Sequence, residues 1–279
     1  MCRQGLFSFN DMEDINSELV AVSAWYAKTQ PDGFGYSFIN PNGTLITRKS
    51  HYNAAAYFLK EKIPNITTNA LIYHTRTATG GGITDIAAHP YKLSNVSITH
   101  NGVLFNYTLL KTELEKKYKF QTEVDSEIIL YSFLEWGLEF PKVFKEYGVG
   151  GYAAIQILTK DGTIYVYKTL SSEYVMKEYE GGMTIGMSDA TLIDMPDIES
   201  GKFYRITGGK ISKIIDSTDF AYSRSYTVKN DFTERDTAID SSVSDLNKPD
   251  DKKELELAIE DSIKEAKKHA SKSARYKKL

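Results

Sequence analysis

Met1-Cys2-Arg3-Gln4-Gly5-Leu6-Phe7-Ser8-Phe9 is the stretch on which the reading of this chain turns. Its apolar end, Leu6-Phe7-Ser8-Phe9, reads as a first strand that buries the N-terminus in a sheet. Its second residue is the only cysteine in 279 residues, so no intrachain disulfide is possible. A methionine followed by a small residue is the usual substrate for methionine removal, and Met1 is expected to be lost. Cys2 would then carry a thiol and a free α-amine on one residue. The amine titrates near 7.7–8.0 and the thiol near 8.5, so at neutral pH the amine can accept the thiol proton. That is a nucleophile and its base in the smallest possible space. Taken alone, a cysteine beside a start methionine is more simply chance, and the rest of the chain has to decide.

Outward from that stretch, Asn10 and Asp11 offer helix caps, and Ile15, Leu19, Val22 and Tyr26 fall at helical spacing. Pro31-Asp32-Gly33 breaks the helix, and residues 34–39 and 44–47 flank Asn40-Pro41-Asn42-Gly43 as a hairpin. A helix over 53–62 follows. A short buried strand, Ala70-Leu71-Ile72-Tyr73, then delivers His74 to Gly82. Residues 97–99 form another strand, which is expected to end in a turn at His100-Asn101-Gly102. Helices are expected over 109–118 and 126–136, and a hairpin over 151–159 and 163–169. Shorter strands follow at 173–178, 183–187, 202–206 and 210–215. Strands, then helices, then strands imply an α+β layered domain rather than a βαβ repeat.

After about residue 216 the composition turns polar, and 216–250 reads as a linker or strap. Residues 251–279 read as a charged helix with a narrow stripe at Leu255, Ile259, Ile263, Ala266 and Ala270. A solvated helix packed lightly on the domain and a docking helix for a partner subunit both fit it. Its basic end lacks the interleaved aromatics of a nucleic-acid surface. The net charge of −3 gives no global pull toward nucleic acid or an anionic membrane. No apolar run approaches the roughly 18 residues of a membrane span, and the N-terminus lacks a secretory signature. The reading is a soluble, cytoplasmic protein.

Hydrolysis of an amide by cysteine needs an attacking thiolate, donors for a tetrahedral oxyanion, and groups that hold the far end of the substrate. At Asn101-Gly102 the side-chain amide and the Gly102 backbone N–H could share one oxygen, although an Asn-Gly pair is by itself usually just a turn. Arg76 follows a buried strand and precedes Gly80-Gly81-Gly82. A guanidinium there could grip an α-carboxylate or form a structural ion pair. Asp125 could cap the helix that follows it, which is the default, or accept from an α-ammonium group. An arginine for carboxylate and an aspartate for ammonium together describe a free amino acid.

Met1-Cys2, Asp32-Gly33-Phe34-Gly35, His74-Thr75-Arg76-Thr77-Ala78-Thr79, Ala88-His89-Pro90, His100-Asn101-Gly102 and Asp125-Ser126-Glu127, in that order, resemble the class II glutamine amidotransferase domain. This is the glutaminase half of glucosamine-6-phosphate synthase, amidophosphoribosyltransferase and asparagine synthetase. Gly150-Gly151-Tyr152-Ala153 and Gly186-Met187-Ser188-Asp189 look like later markers of it, and the likeness spans roughly residues 2–215, which sets the domain at 1–215. The resemblance implies a four-layer αββα sandwich of two antiparallel sheets, the N-terminal-nucleophile hydrolase type. It also implies Cys2 as nucleophile with its α-amine as base, and Asn101 and Gly102 as the oxyanion hole. Arg76 would bind the glutamine α-carboxylate and Asp125 its α-ammonium, with Thr79 adding a contact. Glutamate would leave through a thioester, and the ammonia would pass to a separate synthase subunit.

Arg3 stands where the family usually shows glycine, Thr77 where an aromatic is frequent, and Gly80 where histidine is frequent. These departures imply altered pocket walls. His74, His89 and His100 match no familiar metal-ligand spacing and are read as structural, with no metal or cofactor expected. The alternatives are a hydrolase of another γ-glutamyl amide and a non-catalytic binding or regulatory subunit of the same fold.

Overall fold

The strand that begins beside Cys2 organises the molecule. β1 (Arg3–Asp14) pairs antiparallel with β4 (Thr67–Thr75) on one side and β10 (Met183–Met187) on the other. In the computed structural model, which describes residues 2–61, 65–189 and 195–221, these are the middle of a six-stranded sheet. Its order is β3-β2-β4-β1-β10-β9, with β2 (Phe34–Ile39), β3 (Leu45–Ser50) and β9 (Val175–Tyr179) completing it. A second six-stranded sheet runs β12-β11-β8-β7-β6-β5. It is built from β5 (Tyr91–Leu93), β6 (Val96–Phe105), β7 (Gly150–Thr159), β8 (Ile164–Lys168), β11 (Lys202–Thr207) and β12 (Lys210–Asp216).

Side chains alternate across each strand with a period of two, which divides the apolar residues among three cores. Leu6, Ala70 and Ile72 of the first sheet meet Ala154, Leu158 and Ile164 of the second in the space between the sheets. Phe7, Phe9, Leu71 and Tyr73 point the other way, onto α1 (Asn16–Tyr26) and α2 (Ala54–Lys60). Ala153, Ile155 and Ile157 turn outward onto α3 (Thr108–Glu115), α4 (Ser126–Trp136) and α5 (Phe140–Glu146). The result is the four-layer αββα sandwich of two antiparallel sheets.

Two local expectations are overturned. Asn10 and Asp11 do not cap a helix, because β1 runs through them and, after a register shift, pairs Glu13 with Thr68 and Asp14 with Thr67. The helix starts at Asn16, where the Asp14 carboxylate accepts the Asn16 N–H at 3.1 Å. Nor does β6 end in a turn at His100-Asn101-Gly102. It continues to Phe105, pairing Asn101 with Ala154 and Gly102 with Ala153. Glycine is needed there for close approach, since a Cβ on Gly102 would lie 1.9 Å from the Tyr152 carbonyl oxygen. Phe220 is buried in the core outside the second sheet, and Ala221 bridges to Gly151. The proposed charged helix over 251–279 and most of the polar segment lie outside the described residues.

Candidate active site

Pairing of Arg3 with Thr75 brings the start of β1 against the end of β4, and so sets Cys2 beside Thr77. The Thr77 N–H donates to the Cys2 sulfur at 3.3 Å, and the thiol lies 3.3 Å from the Thr77 carbonyl oxygen as its acceptor. Burial pushes the Cys2 thiol above its ordinary value, partly offset by the Thr77 backbone bond and the Arg76 charge. The Asp32-Gly33 motif clamps this segment. Asp32 Oδ2 accepts the Ala78 N–H at 2.8 Å, and the Gly33 carbonyl accepts the Arg76 N–H at 2.8 Å.

Arg76 is 3% exposed. Its two terminal nitrogens donate to the carbonyls of Gly82 and Gly80, each at 2.6 Å, so the arginine gathers the glycine loop around itself. Among the described residues no carboxylate comes within ion-pair distance of it. Among those residues its side-chain partners are backbone carbonyls, not the carboxylate of a structural ion pair. A guanidinium has five N–H groups, which leaves donors beyond those two bonds.

The facing wall comes from the second sheet and α4. Asp125 does not cap its helix with its side chain. Instead its Oδ2 accepts the Leu104 N–H at 2.7 Å, tying the start of α4 to β6. Glu127, 2% exposed, accepts from the N–H groups of Gln121 and Thr122 and from the hydroxyls of Thr122 and Tyr131. That buried carboxylate folds the loop that carries Val124. The walls touch where Gly81 packs on Val124, so closely that a Cβ on Gly81 would lie 2.3 Å from Val124 Cγ2.

Between the walls is a cavity of about 160 Å³. It is smaller than the roughly 300–1,000 Å³ of drug-sized sites, and on the scale of a small molecule. Cys2, Arg76, Thr79, Gly102 and Asp125 all line it, so five of the six residues singled out from sequence are brought together. The sixth, Asn101, is buried behind the wall. Its side-chain amide donates to Ser188 Oγ at 3.0 Å, and Ser188 in turn receives the Gln4 N–H at 3.1 Å. Arg3, in place of the family's glycine, pairs with the buried Asp189 at 2.9 Å and donates to the Cys2 carbonyl.

Sequence reasoning did not anticipate His89 and His100 in the cavity lining, nor Ser188 and Glu127 as the residues that orient Asn101 and the Asp125 loop. All four sit inside the recognised motifs, so the motifs themselves were the available signal. Burial pushes the His74 ring down to about 3 and lowers His89 and His100 as well, so all three stay neutral near pH 7. Among the described residues no group of three or more His, Cys, Asp or Glu is placed to hold a metal ion. No helix among them is long and apolar enough to cross a membrane.

A half-buried cysteine precedes a central strand of one of two antiparallel sheets and lines a small cavity. Residues 65–155 match the glutamine amidotransferase domain family. Glutamine–fructose-6-phosphate aminotransferase of Sulfurisphaera tokodaii is 32% identical over 146 residues, 49% of this chain and 25% of that protein. The enzyme of the same name from Clostridium acetobutylicum is 45% identical over 132 residues, 46% of this chain and 21% of that protein. This chain thus matches about a quarter of the length of such relatives. The glutamine phosphoribosylpyrophosphate amidotransferase of B. subtilis superposes with a TM-score of 0.60 at 18% identity, over 80% of this chain and 50% of that one. A glutamine aminotransferase class-II domain protein from Silicibacter pomeroyi superposes at 0.52 and 13% identity, over 79% of this chain and all of that one. Residues 65–155 thus resemble a glutamine amidotransferase domain, within a fold similar to those of the two amidotransferase structures.

Proposed function

We propose that this chain hydrolyses the side-chain amide of glutamine, with Cys2 as the nucleophile once Met1 has been removed. The observation that carries the reading is one small cavity onto which the Cys2 thiol, an un-neutralised buried arginine and the Asp125 carboxylate all face. An amino acid would lie with its α-carboxylate on the free donors of Arg76, its α-ammonium on Asp125 and its polar backbone near Thr79. Because burial raises the thiol, it is protonated at neutral pH and needs a base. The α-amine released by processing supplies one. Sulfur attacks the amide carbon while the amine takes the thiol proton. The Gly102 N–H on the cavity wall stabilises the oxyanion, joined by the Asn101 amide once its bond to Ser188 is exchanged for one to the oxyanion. The C–N bond then breaks, the departing nitrogen takes the proton and leaves as ammonia, and water cleaves the thioester to glutamate and free thiol.

The names of the curated relatives describe moving glutamine nitrogen to a sugar phosphate. By analogy the ammonia formed here passes to an acceptor held by a separate synthase. A nucleophilic thiol works in its reduced form, which fits the cytoplasm.

The test is glutamate release from glutamine by protein whose mass shows an N-terminal Cys2. Cys2→Ala is expected to lower the rate at least about a thousandfold. A processed protein that releases no glutamate, alone or with an acceptor system, sinks the reading in favour of another γ-glutamyl amide or a non-catalytic role.

A further inference from the structure

On one side β1 outruns its neighbour in the sheet. β10 ends at Met187, which lies opposite Gly5, short of Cys2. Continued past the strand, the same register sets Ser188 opposite Gln4 and Asp189 opposite Arg3. Ser188 still pairs, its N–H donating to the Gln4 carbonyl at 2.9 Å and its hydroxyl receiving the Gln4 N–H at 3.1 Å. At the next step side chains take over. Arg3 Nε donates to Asp189 Oδ2 at 2.9 Å, and Arg3 Nη1 donates back to the Cys2 carbonyl at 3.3 Å. The planar fork of a guanidinium lets one residue serve both acceptors at once. The Arg3 side chain is 27% exposed and that of Asp189 7%, so salt screens this pair less than one on the open surface.

Once Met1 is removed, Cys2 is a chain end, and a first residue frays unless something ties it down. Its Cα carries the sulfur, the α-amine and the carbonyl. The Thr77 N–H holds the sulfur at 3.3 Å, and Arg3 holds the carbonyl. With two of these groups fixed, tetrahedral geometry at Cα sets the direction of the amine that has to take the thiol proton. The same short segment also serves the oxyanion side, since Ser188 Oγ accepts the Asn101 amide at 3.0 Å. We infer that Arg3 is a positioning residue for the Cys2 nucleophile: anchored on Asp189, it fixes the Cys2 carbonyl and so aims the α-amine at the thiol. A glycine in its place would have no side chain with which to hold that carbonyl. The inference rests on the glutamine reading, with Cys2 as nucleophile, and deepens it.

The test uses full-length protein whose mass shows an N-terminal Cys2, so that a change at position 3 is not confused with a change in processing. Arg3→Ala is expected to lower kcat for glutamine about thirtyfold with KM within about twofold. A misplacement of about 1 Å can cost up to about a hundredfold, while Arg76 and Asp125, which hold the far end of the substrate, are untouched. Arg3→Lys keeps the charge without the fork; it should recover part of the loss and serves if the alanine variant fails to fold. Asp189→Ala should lower kcat by a similar factor, and the double variant no further than the worse single one, because the two residues act as a unit. Losses that multiply in the double variant, or a lowered Tm with unmoved kcat, overturn the inference. So does a raised KM at constant kcat, which would place Arg3 with the substrate and not with the nucleophile. A wild-type protein that neither turns over nor binds glutamine by calorimetry removes the glutamine reading and this inference together. Normal wild-type turnover with Arg3→Ala indistinguishable from it removes this inference alone.

Discussion

The two walls of the cavity are built on opposite principles. On the Cys2 side the charged group, Arg76, is held by two carbonyls of an exposed glycine loop. On the Asp125 side a buried carboxylate, Glu127, collects four donors from one loop and one helix. The first arrangement leaves charge and donors unspent, whereas the second consumes them. A wall that must accept a ligand keeps hydrogen-bonding capacity in reserve, and a wall that must hold its shape does not. Gly81 on Val124 is where the receptive wall leans on the rigid one.

Arg76→Lys probes the receptive wall and should have the largest effect. Lysine keeps the charge but cannot serve two loop carbonyls and a carboxylate together. The glutamine KM is expected to rise about a hundredfold, two charge-assisted bonds' worth, with Tm nearly unchanged. A large fall in Tm with an unmoved KM would show that Arg76 is structural and erase the contrast. Glu127→Gln probes the rigid wall and should do the reverse. An amide nitrogen would face donors that now meet a carboxylate oxygen, and urea denaturation should show a loss of about 2 kcal/mol. Any rise in KM should be smaller than that of Arg76→Lys.

The smallest effect is the change in stability between pH 7 and 6 contributed by any one histidine packed near the cavity. His74 is pushed down to about 3 from 6.5 by burial, so the folded state refuses a proton that the unfolded chain accepts below pH 6.5. The stability due to its neutral form is complete above 6.5 and is lost as pH falls from there toward 3. Between pH 7 and 6 the loss is about 0.7 kcal/mol for each histidine of this kind. The urea midpoint, followed through that range, should fall accordingly. A flat profile would mean that these rings are hydrated in the native protein.

The comparison also explains which parts of the site were legible in the residues. Arg76 stood out because its spacing after a buried strand and before three glycines is a local pattern. Asp125 was equally visible as a residue, but its local role as a helix cap was the wrong one. Its true acceptor bond goes to Leu104, 21 residues away. Asn101 showed the same limit. Its dipeptide with Gly102 reads as a turn, whereas pairing with β7 keeps both inside a strand and Ser188, 87 positions on, orients the amide. His89 and His100 read as structural because nothing local tells a buried core histidine from one facing a cavity.

By itself the sequence determined a strand at the head of β1, the short buried strand at the centre of β4, the hairpin that holds β7, the helical spacing of α1, the helix at α4, and a cysteine second in line with the rest of the motif set. These are properties of neighbouring residues, set by backbone geometry and by what each side chain does with water. Only the tertiary structure decided that β1 runs on to Asp14, that Cys2 lies against Thr77, and that Arg76 stands un-neutralised on the cavity it shares with Asp125. Strand register and burial make those choices, and both depend on residues far apart in the chain competing for the same partners.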